Sequence, residues 1–397
     1  MFNFPYTNFH RLNLDWIVAK IEQIERGDYT PVNFQIANVR DYGAVGNGIE
    51  DDTAAITNAA NSGLPVYFPV GSYAISRPIS PVTEGQMFFG AGYSSVIRFS
   101  GSSAFDCNGL RKIFITNLAI VEDNPHRLAN YAICNMRGQY SGVHRVDIDA
   151  FCGIEHGANS GIVSDCTIRC VSTGIRIYNG DNTSTIENCI IGAYDWGATH
   201  DSGIGVLVED GACANLKNVS TLLKNHGVHF SGTFFSFNAI QCWFDNCNNG
   251  FFFDTGSNAN RFRINNCWFS SAESDILFKG NVEGLWFENC EFYKTVFAGI
   301  WADPTAKINS LNVTNCWFGC TTNTEARREA IHLWDVDATN VIISNNNFSS
   351  YDDTGNYNIA ISLTPRVSGI ITGNCLRGAT TPVSGAGSDM TVVNNAV

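Results

Sequence analysis

The sequence FRINNCWF at residues 262–269 has close copies on both sides: FNAIQCWF at 237–244, LWFENCEF at 285–292 and LNVTNCWF at 311–318. Apolar and variable residues alternate in each copy, which is the periodicity of a β-strand. Weaker copies extend the series to a mean spacing of about 26 residues, which indicates a stack of repeated units. The anchor positions of the copies are Leu118, Val146, Cys166, Cys189, Asn218, Cys242, Cys267, Cys290, Cys316, Asn346 and Cys375.

A second strand-like phrase lies between the anchors, for example GIRI at 174–177, GIGVL at 203–207 and GFFFD at 250–254. The spacers are rich in Gly, Asn, Asp, Ser and Thr, which favour turns. Together these features predict an all-β fold, a single-stranded right-handed parallel β-helix of about a dozen coils that stack ~4.8 Å apart. The Asn before most anchors is expected to adopt the left-handed conformation in a tight bend.

Composition excludes several classes of protein. The 397 residues carry a net charge of −13 and no basic block, which argues against nucleic-acid binding. No apolar run approaches the ~18 residues of a membrane span, so we expect no membrane insertion. The 14 cysteines match no zinc motif, and we expect most of them to be small buried residues in a reducing compartment.

The first 30 residues differ from the rest of the chain. Leu14, Ile17, Ile21 and Ile24 are spaced 3, 4 and 3 residues apart, as in the seam of a short coiled coil. This spacing predicts an α-helix that forms a homotrimer or anchors the chain to a larger assembly. The alternative is an amphipathic helix that docks on its own β-helix.

Two segments carry a family resemblance. ANVRDYGAVGNGIEDDTAAI at 37–56, with VYFPVGSY at 66–73, resembles the N-terminal signature of the pectate-lyase-like superfamily, which is common in phage tailspikes and depolymerases. YTNFHRLNLDWI at 6–17 resembles the start of structural proteins of small tailed phages. The resemblance implies a tailspike or appendage protein of the virion, made in the host bacterial cytoplasm. Asp51 or Asp52 is expected to cap a short helix that closes the open end of the coils.

The resemblance also suggests how the chain is divided and where it departs from enzymes. We expect an N-terminal helix over 1–30, a cap over 31–75 and the β-helix over 76–397. Polygalacturonase-type relatives carry N-T-D, D-D, G-H-G and R-I-K motifs. Here only Asn225-His226-Gly227 approaches the third motif, and R-I-K is absent. The resemblance therefore implies the fold and a virion role, and it leaves catalysis open.

Candidate site residues follow from aligning the second phrase, whose intervening residues should face outward. One outward column is predicted as Arg176, Gly205, His229, Phe252, Leu277, Trp301, His332 and Ser362. The next is predicted as Tyr178, Leu207, Ser231, Asp254, Lys279, Asp303, Trp334 and Thr364.

Asp254 and Asp303 should then lie two coils apart, roughly 9.6 Å at ~4.8 Å per coil. Inverting glycosidases separate their carboxyl groups by about 6.5–9.5 Å, so this pair is the candidate catalytic acid and base. The candidate substrate-binding residues are Lys279, Trp301, Trp334, Phe252 and His229. The alternative is a solvated Asp–Lys–Asp ladder without catalytic function.

Other features remain open. A further outward column, Trp243, Trp268, Glu291 and Trp317, is either a sugar platform or a covered interface. No motif predicts a metal site or a cofactor; the acidic pairs at 209–210 and 352–353 could hold Ca²⁺, but neither matches an EF-hand loop.

Three functions are compatible with the sequence. The first is a virion appendage that recognises host surface polysaccharide during adsorption. The second is a depolymerase, a glycoside hydrolase or less readily a lyase, that acts on capsule or cell-wall glycan. The third is a purely structural fibre or collar protein of the virion.

Overall fold

A computed structural model of the chain describes residues 35–123, 131–157, 159–178, 183–193, 203–211, 213–293, 297–320, 329–350 and 357–397. They form an all-β parallel solenoid of about 13 turns. Each strand pairs in parallel with the equivalent strand of the next coil, as in the register of Asn258 with Asn281 and of Asn281 with Lys307. The predicted parallel β-helix is therefore confirmed.

Three parallel sheets, here named I, II and III in their order along a coil, form the wall. Strands of sheet I alone are Ala37–Asn38, Val66–Phe68, Met87–Gly90, Ile162–Ser164, Thr183–Glu187, Cys213–Lys217, Thr233–Phe234, Ser236–Ile240, Asn258–Asn265, Asn281–Glu288, Lys307–Thr314, Asp337–Ser344, Val367–Thr372 and Met390–Val393. Strands of sheet II alone are Asn47–Asp51, Gly71–Ile75, Ser95–Phe99, Thr167–Cys170, Ile190–Ala193, Ser220–Leu222, Glu291–Tyr293, Trp317–Cys320 and Asn347–Ser350.

Strands of sheet III alone are Phe105–Asp106, Tyr131–Met136, Cys152–His156, Thr173–Ile177, Ile204–Val208, His226–Phe230, Ala298–Ala302, Glu329–Leu333, Tyr357–Leu363 and Ala379–Ser384. Four long strands bend from one sheet into the next. Phe114–Glu122 and Gly142–Ala150 join sheets I and II, and Trp243–Phe253 and Trp268–Phe278 join sheets II and III.

The bend from sheet I to sheet II uses one residue with a left-handed backbone in coil after coil, as predicted for Asn. The residues with positive φ at this bend are Asn117, Arg145, Asp165, Asn188, Asn218, Gln241, Asn266, Asn289, Asn315, Asn345, Gly373 and Asn394. Two predicted anchors were one residue out of register. Asn218 itself occupies the bend, so the next residue, Val219, is the buried anchor. At the other position the bend is Gly373, so the buried anchor is Asn374, one residue before Cys375.

The position after the bend points inward and forms a ladder of thiols. Cys267 and Cys290 each donate a hydrogen bond to the carbonyl two residues earlier, at 3.4 Å. Asn346 and Asn374 continue the ladder, and the amide oxygen of each accepts the backbone N–H of the preceding rung. The thirteen cysteines whose side chains are described are all free thiols, and all but Cys213 and Cys375 are buried. The predicted role of most cysteines as small buried residues is therefore confirmed.

The start of the described chain closes one end of the core. A 3₁₀-helix, Val39–Tyr42, precedes an α-helix, Thr53–Asn61, whose residues Ile56, Ala59 and Ala60 are buried. Asp51, rather than the N-cap residue Asp52, accepts the hydrogen bond from the first backbone N–H of the α-helix. Asp52 accepts instead from the backbone N–H groups of Val45 and Gly46, which fixes the preceding loop.

The residues from Ala37 to Val397 form one compact unit. Strands within the predicted cap, such as Gly71–Ile75, pair with the coil that follows. The helix predicted over 1–30 lies outside the described residues. Among the described residues, no helix is long and apolar enough to cross a membrane.

Candidate functional site

The outward face of sheet III carries most of the candidate residues, and the strand register assigns their columns. The first column is Glu155, Arg176, Leu207, His229, Phe252, Leu277, Trp301, His332 and Ser362. Gly205 was wrongly predicted in this column, because the phrase at 203–207 had been aligned on its first glycine. Gly205 matches Gly174: an added Cβ at Gly174 would lie 2.6 Å from the carbonyl oxygen of Gly205.

The same correction moves Leu207 out of the second column, where Glu209 takes its place. The Arg176 guanidinium bridges Glu209 and Glu155, which lie on either side of it. Arg176 also lies over the Tyr178 ring at 4.6 Å, and Arg137 donates a hydrogen bond to the Tyr178 hydroxyl at 2.6 Å. The sequence analysis did not assign Glu155 to any site. These contacts hold a charged, ordered patch at the N-terminal part of sheet III.

Next along the face are two histidines packed around Phe252. The His226 ring stacks on Phe252 at 4.2 Å, and the His229 ring meets its edge at 5.0 Å. Lys279 Nζ lies 5.3 Å from the centroid of the same ring. Phe252 therefore packs against its polar neighbours, and its role in substrate binding stays a prediction.

His229 lies beside Asp254: Nε2 is 3.5 Å from Oδ2, a contact that is an ion pair only when the ring is protonated. Burial lowers the pKa of His229, and the Asp254 carboxylate partly offsets this. Burial also lowers the pKa of His226, to about 4, and the neighbouring His229 adds to the effect. Both rings are therefore neutral near pH 7 and able to donate and accept hydrogen bonds. The Nδ1 atom of His229 is buried without a hydrogen-bond partner among the described residues.

Asp254, Lys279 and Asp303 occupy one position in three successive coils. Their backbone N–H groups bond to Phe230, Phe253 and Phe278, respectively, in the coil before. Asp303 is held in its own turn, because Oδ1 accepts hydrogen bonds from the backbone N–H and the hydroxyl of Thr305. Asp254 Oδ1 accepts the backbone N–H of Thr255. The predicted two-coil spacing of the carboxylates is present; their catalytic role stays a prediction.

The C-terminal part of sheet III presents aromatic side chains to solvent. Trp301 meets His332 at 5.2 Å and Phe297 at 5.9 Å, in both cases edge to face. Trp334, in the next coil, is 48% exposed, and Phe297 is 41% exposed. We name Phe297, Trp301, His332 and Trp334 the aromatic platform. Phe297 was missed by the sequence analysis because it precedes the phrase that was aligned.

The tryptophans of sheet II form a separate ladder. Trp243, Trp268, Glu291 and Trp317 stand in register, as predicted. Trp268 stacks on Tyr293 at 5.6 Å, and Trp243 at the end of the ladder is 58% exposed.

For metal ions, the described residues contain no group of three His, Cys, Asp or Glu side chains that could hold one. Glu209 is engaged by Arg176, and Asp210 Oδ1 accepts the backbone N–H of Thr233. The second acidic pair considered for Ca²⁺, at 352–353, lies outside the described residues.

Comparison with known proteins identifies the family. A family model described as "Rhamnogalacturonase A/epimerase, pectate lyase-like" matches residues 36–273. The chain belongs to this family of pectate-lyase-like β-helices.

Individual relatives include both phage proteins and enzymes. The chain is 33% identical over 92 residues to the pre-neck appendage protein of Bacillus phage B103, a match that spans 21% of this chain and 11% of the phage protein. The structure of pre-mature bacteriophage phi29 gene product 12 superposes with a TM-score of 0.56 at 16% identity, over 95% of this chain and 59% of that one. The A-module of the Azotobacter vinelandii mannuronan C-5 epimerase AlgE6 superposes with a TM-score of 0.59 at 15% identity, over 90% and 98% of the two chains.

Proposed function

We propose that this chain is a component of a phage virion, a tailspike or appendage, that recognises a bacterial surface polysaccharide along sheet III. The observation that carries this proposal is the continuous outward face from the Arg176 bridge to the aromatic platform. Eight steps of ~4.8 Å separate Glu155 from Ser362, so this face is roughly 38 Å long. It suits an extended polymer better than a small ligand.

The chemistry of the face favours a sugar ligand. Indole rings stack on the apolar faces of sugar rings, and an exposed one, Trp334, lies in the coil next to the half-buried Trp301. The likeness to the phage appendage protein supports the virion role.

Binding tests this proposal. The purified full chain is mixed with cells of a panel of bacterial strains and with their capsule and wall polysaccharides. We expect retention on a subset of strains, and a loss of retention of about tenfold or more for Trp301→Ala combined with Trp334→Ala. Tyr93→Ala is the matched control, because Tyr93 is 55% exposed and lies outside sheet III. Unchanged retention of the double variant would refute the proposed site.

Depolymerisation is the second candidate function. The observation in its favour is the Asp254–Lys279–Asp303 series, with the neutral His229 beside Asp254. In an inverting hydrolysis, one carboxyl group would protonate the leaving oxygen while the other activates water. Release of reducing ends from a bound polysaccharide, abolished separately by Asp254→Asn and Asp303→Asn, would support it. Full activity in both variants would exclude this pair.

The proposal includes assembly as a homotrimer and attachment to other tail or capsid proteins through residues 1–30. Ile17 and Ile21 of the predicted helix seam support it. Synthesis in the host cytoplasm accords with the free thiols, because disulfides are rare in reducing compartments. Ca²⁺ dependence is open to test by adding EDTA to the binding assay.

A further inference from the structure

One groove on the surface of the described residues lies away from sheet III. It runs along the start of the sheet I strands and has a volume of 440 Å³. We name it the sheet I groove. Its outward lining residues include Phe235, Asn258, Asn281, Glu283, Lys307 and Asp337. No sequence-based prediction gave these residues a function.

The strand register makes the groove linear. Thr233, Asn258, Asn281, Lys307 and Asp337 occupy one position in five successive coils. Four steps of ~4.8 Å give a length of roughly 19 Å. This shape suits several units of a linear polymer.

Hydrogen bonds between coils hold the polar side chains of the groove in place. Asn281 donates to the side-chain oxygen of Asn258 at 2.9 Å. Thr339 donates to the side-chain oxygen of Asn309 at 3.1 Å. Because these side chains are already ordered, the protein loses less conformational entropy when a ligand binds to them.

The lining residues select the class of ligand. Glu283 and Asp337 flank Lys307 in neighbouring coils, so the charges alternate and leave a net charge of −1, which favours neither a polyanion nor a polycation. Amide side chains offer both donors and acceptors, as hydroxyl groups require. Phe235, 58% exposed, provides an aromatic face at one end of the groove. A protein partner is less well matched, because the cores of protein interfaces are depleted in charged side chains.

We propose that the sheet I groove is a second binding site, specific for a neutral oligosaccharide segment and separate from sheet III. The proposal shares with the proposed function only its class of ligand. A chain with two such sites on different faces would hold a polysaccharide network at two points, and its apparent affinity would exceed that of either site.

Affinity electrophoresis of the full chain tests this proposal. The gels contain laminarin, dextran or mannan as neutral polymers, or polygalacturonate as an anionic one. We expect at least one neutral polymer to retard the chain more than polygalacturonate does. Phe235→Ala should weaken this retardation about fivefold, and Phe235→Ala with Asn281→Ala more strongly. Tyr93→Ala, the matched exposed aromatic, should not change it.

The two sites give distinguishable outcomes. Retardation that survives Trp301→Ala with Trp334→Ala but is weakened by Phe235→Ala supports the groove, even if sheet III fails its own test. The groove proposal is overturned if no neutral polymer retards the wild type, or if Phe235→Ala has no effect. It is also overturned if Phe235→Ala changes the mass of the assembly in sedimentation, because the groove would then be a contact between copies of the chain.

Discussion

At the scale of single residues, the bend between sheets I and II repeats one backbone conformation along the molecule. Asn occupies most of these left-handed positions, since it tolerates positive φ better than other residues with a side chain. The N-C motif of the sequence follows from this: Asn occupies the left-handed position, and the Cys after it points inward. It explains why the Asn positions could be predicted from sequence alone.

Asn289 allows a test of the bend, because its φ is +53° and its side chain is exposed. Asn289→Ala should lower the free energy of unfolding by about 1 kcal/mol, since the left-handed conformation costs Ala more than Asn. Asn289→Gly should remain within a few tenths of wild type. Urea denaturation measures both, and an equal loss in the two variants would contradict this explanation.

His156 predicts how stability depends on pH. Burial lowers its pKa from 6.5 to about 4. The folded state therefore holds a neutral ring where the unfolded state takes up a proton, so stability is complete above pH 6.5 and falls as the pH drops toward 4. At pH 4 the loss from this residue is about 3 kcal/mol.

The variant His156→Gln cannot titrate and retains a side chain able to hydrogen-bond with Ser184, which lies 3.2 Å from His156 Nδ1. Between pH 8 and pH 4, the free energy of unfolding of wild type should fall by about 3 kcal/mol more than that of His156→Gln. Chemical denaturation at several pH values measures this difference. Parallel stability curves would show that the ring is not held neutral.

At the scale of elements, the inner face of sheet II is a stack of phenylalanine rings. Phe244, Phe269, Phe292, Phe318 and Phe348 lie 4.5–5.2 Å apart with nearly parallel rings. Each of the three middle rings packs against its equivalents in the coils before and after. Removal of one ring therefore weakens the packing of both neighbouring coils.

Phe292 lies in the middle of this stack and is fully buried. Phe292→Ala should cost about 3–5 kcal/mol, since it leaves a cavity between two coils. Phe292→Leu refills much of the volume and should cost clearly less. Thermal unfolding, followed by circular dichroism, ranks the variants, and equal melting temperatures for the wild type and Phe292→Ala would contradict the role of the stack.

Strand existence could be predicted from the sequence because alternation and spacing are local features. The predicted register is wrong at Gly205, because two glycines in one phrase allow two alignments. The close contact between Gly174 and Gly205 in neighbouring coils shows which alignment is correct. The Arg176 bridge could not be predicted from the sequence, because a long side chain can contact residues of several coils. Asp254 and Lys279 were placed correctly, whereas the packing around Phe252 depends on ring orientations that spacing does not specify.

At the scale of the whole molecule, stacked coils turn single positions into long columns. The outward face of sheet III and the sheet I groove are two such sets of columns, and both run along the stacking direction. A solenoid thereby presents extended surfaces to a polymer without a deep pocket. The interior keeps these surfaces rigid, because each coil is tied to its neighbours by its stacked side chains.

The most direct measurement is size-exclusion chromatography of the full chain with envelope polysaccharide from cells that retain it, followed by a reducing-end assay. We predict that wild type co-elutes with intact polymer and that Trp301→Ala with Trp334→Ala co-elutes much more weakly. Short oligosaccharides in the wild-type sample would show that the chain also cleaves the polymer, and Asp254 and Asp303 would then be tested as its catalytic pair. Co-elution of the double variant as strong as that of wild type would contradict the assignment of sheet III as the glycan-binding face.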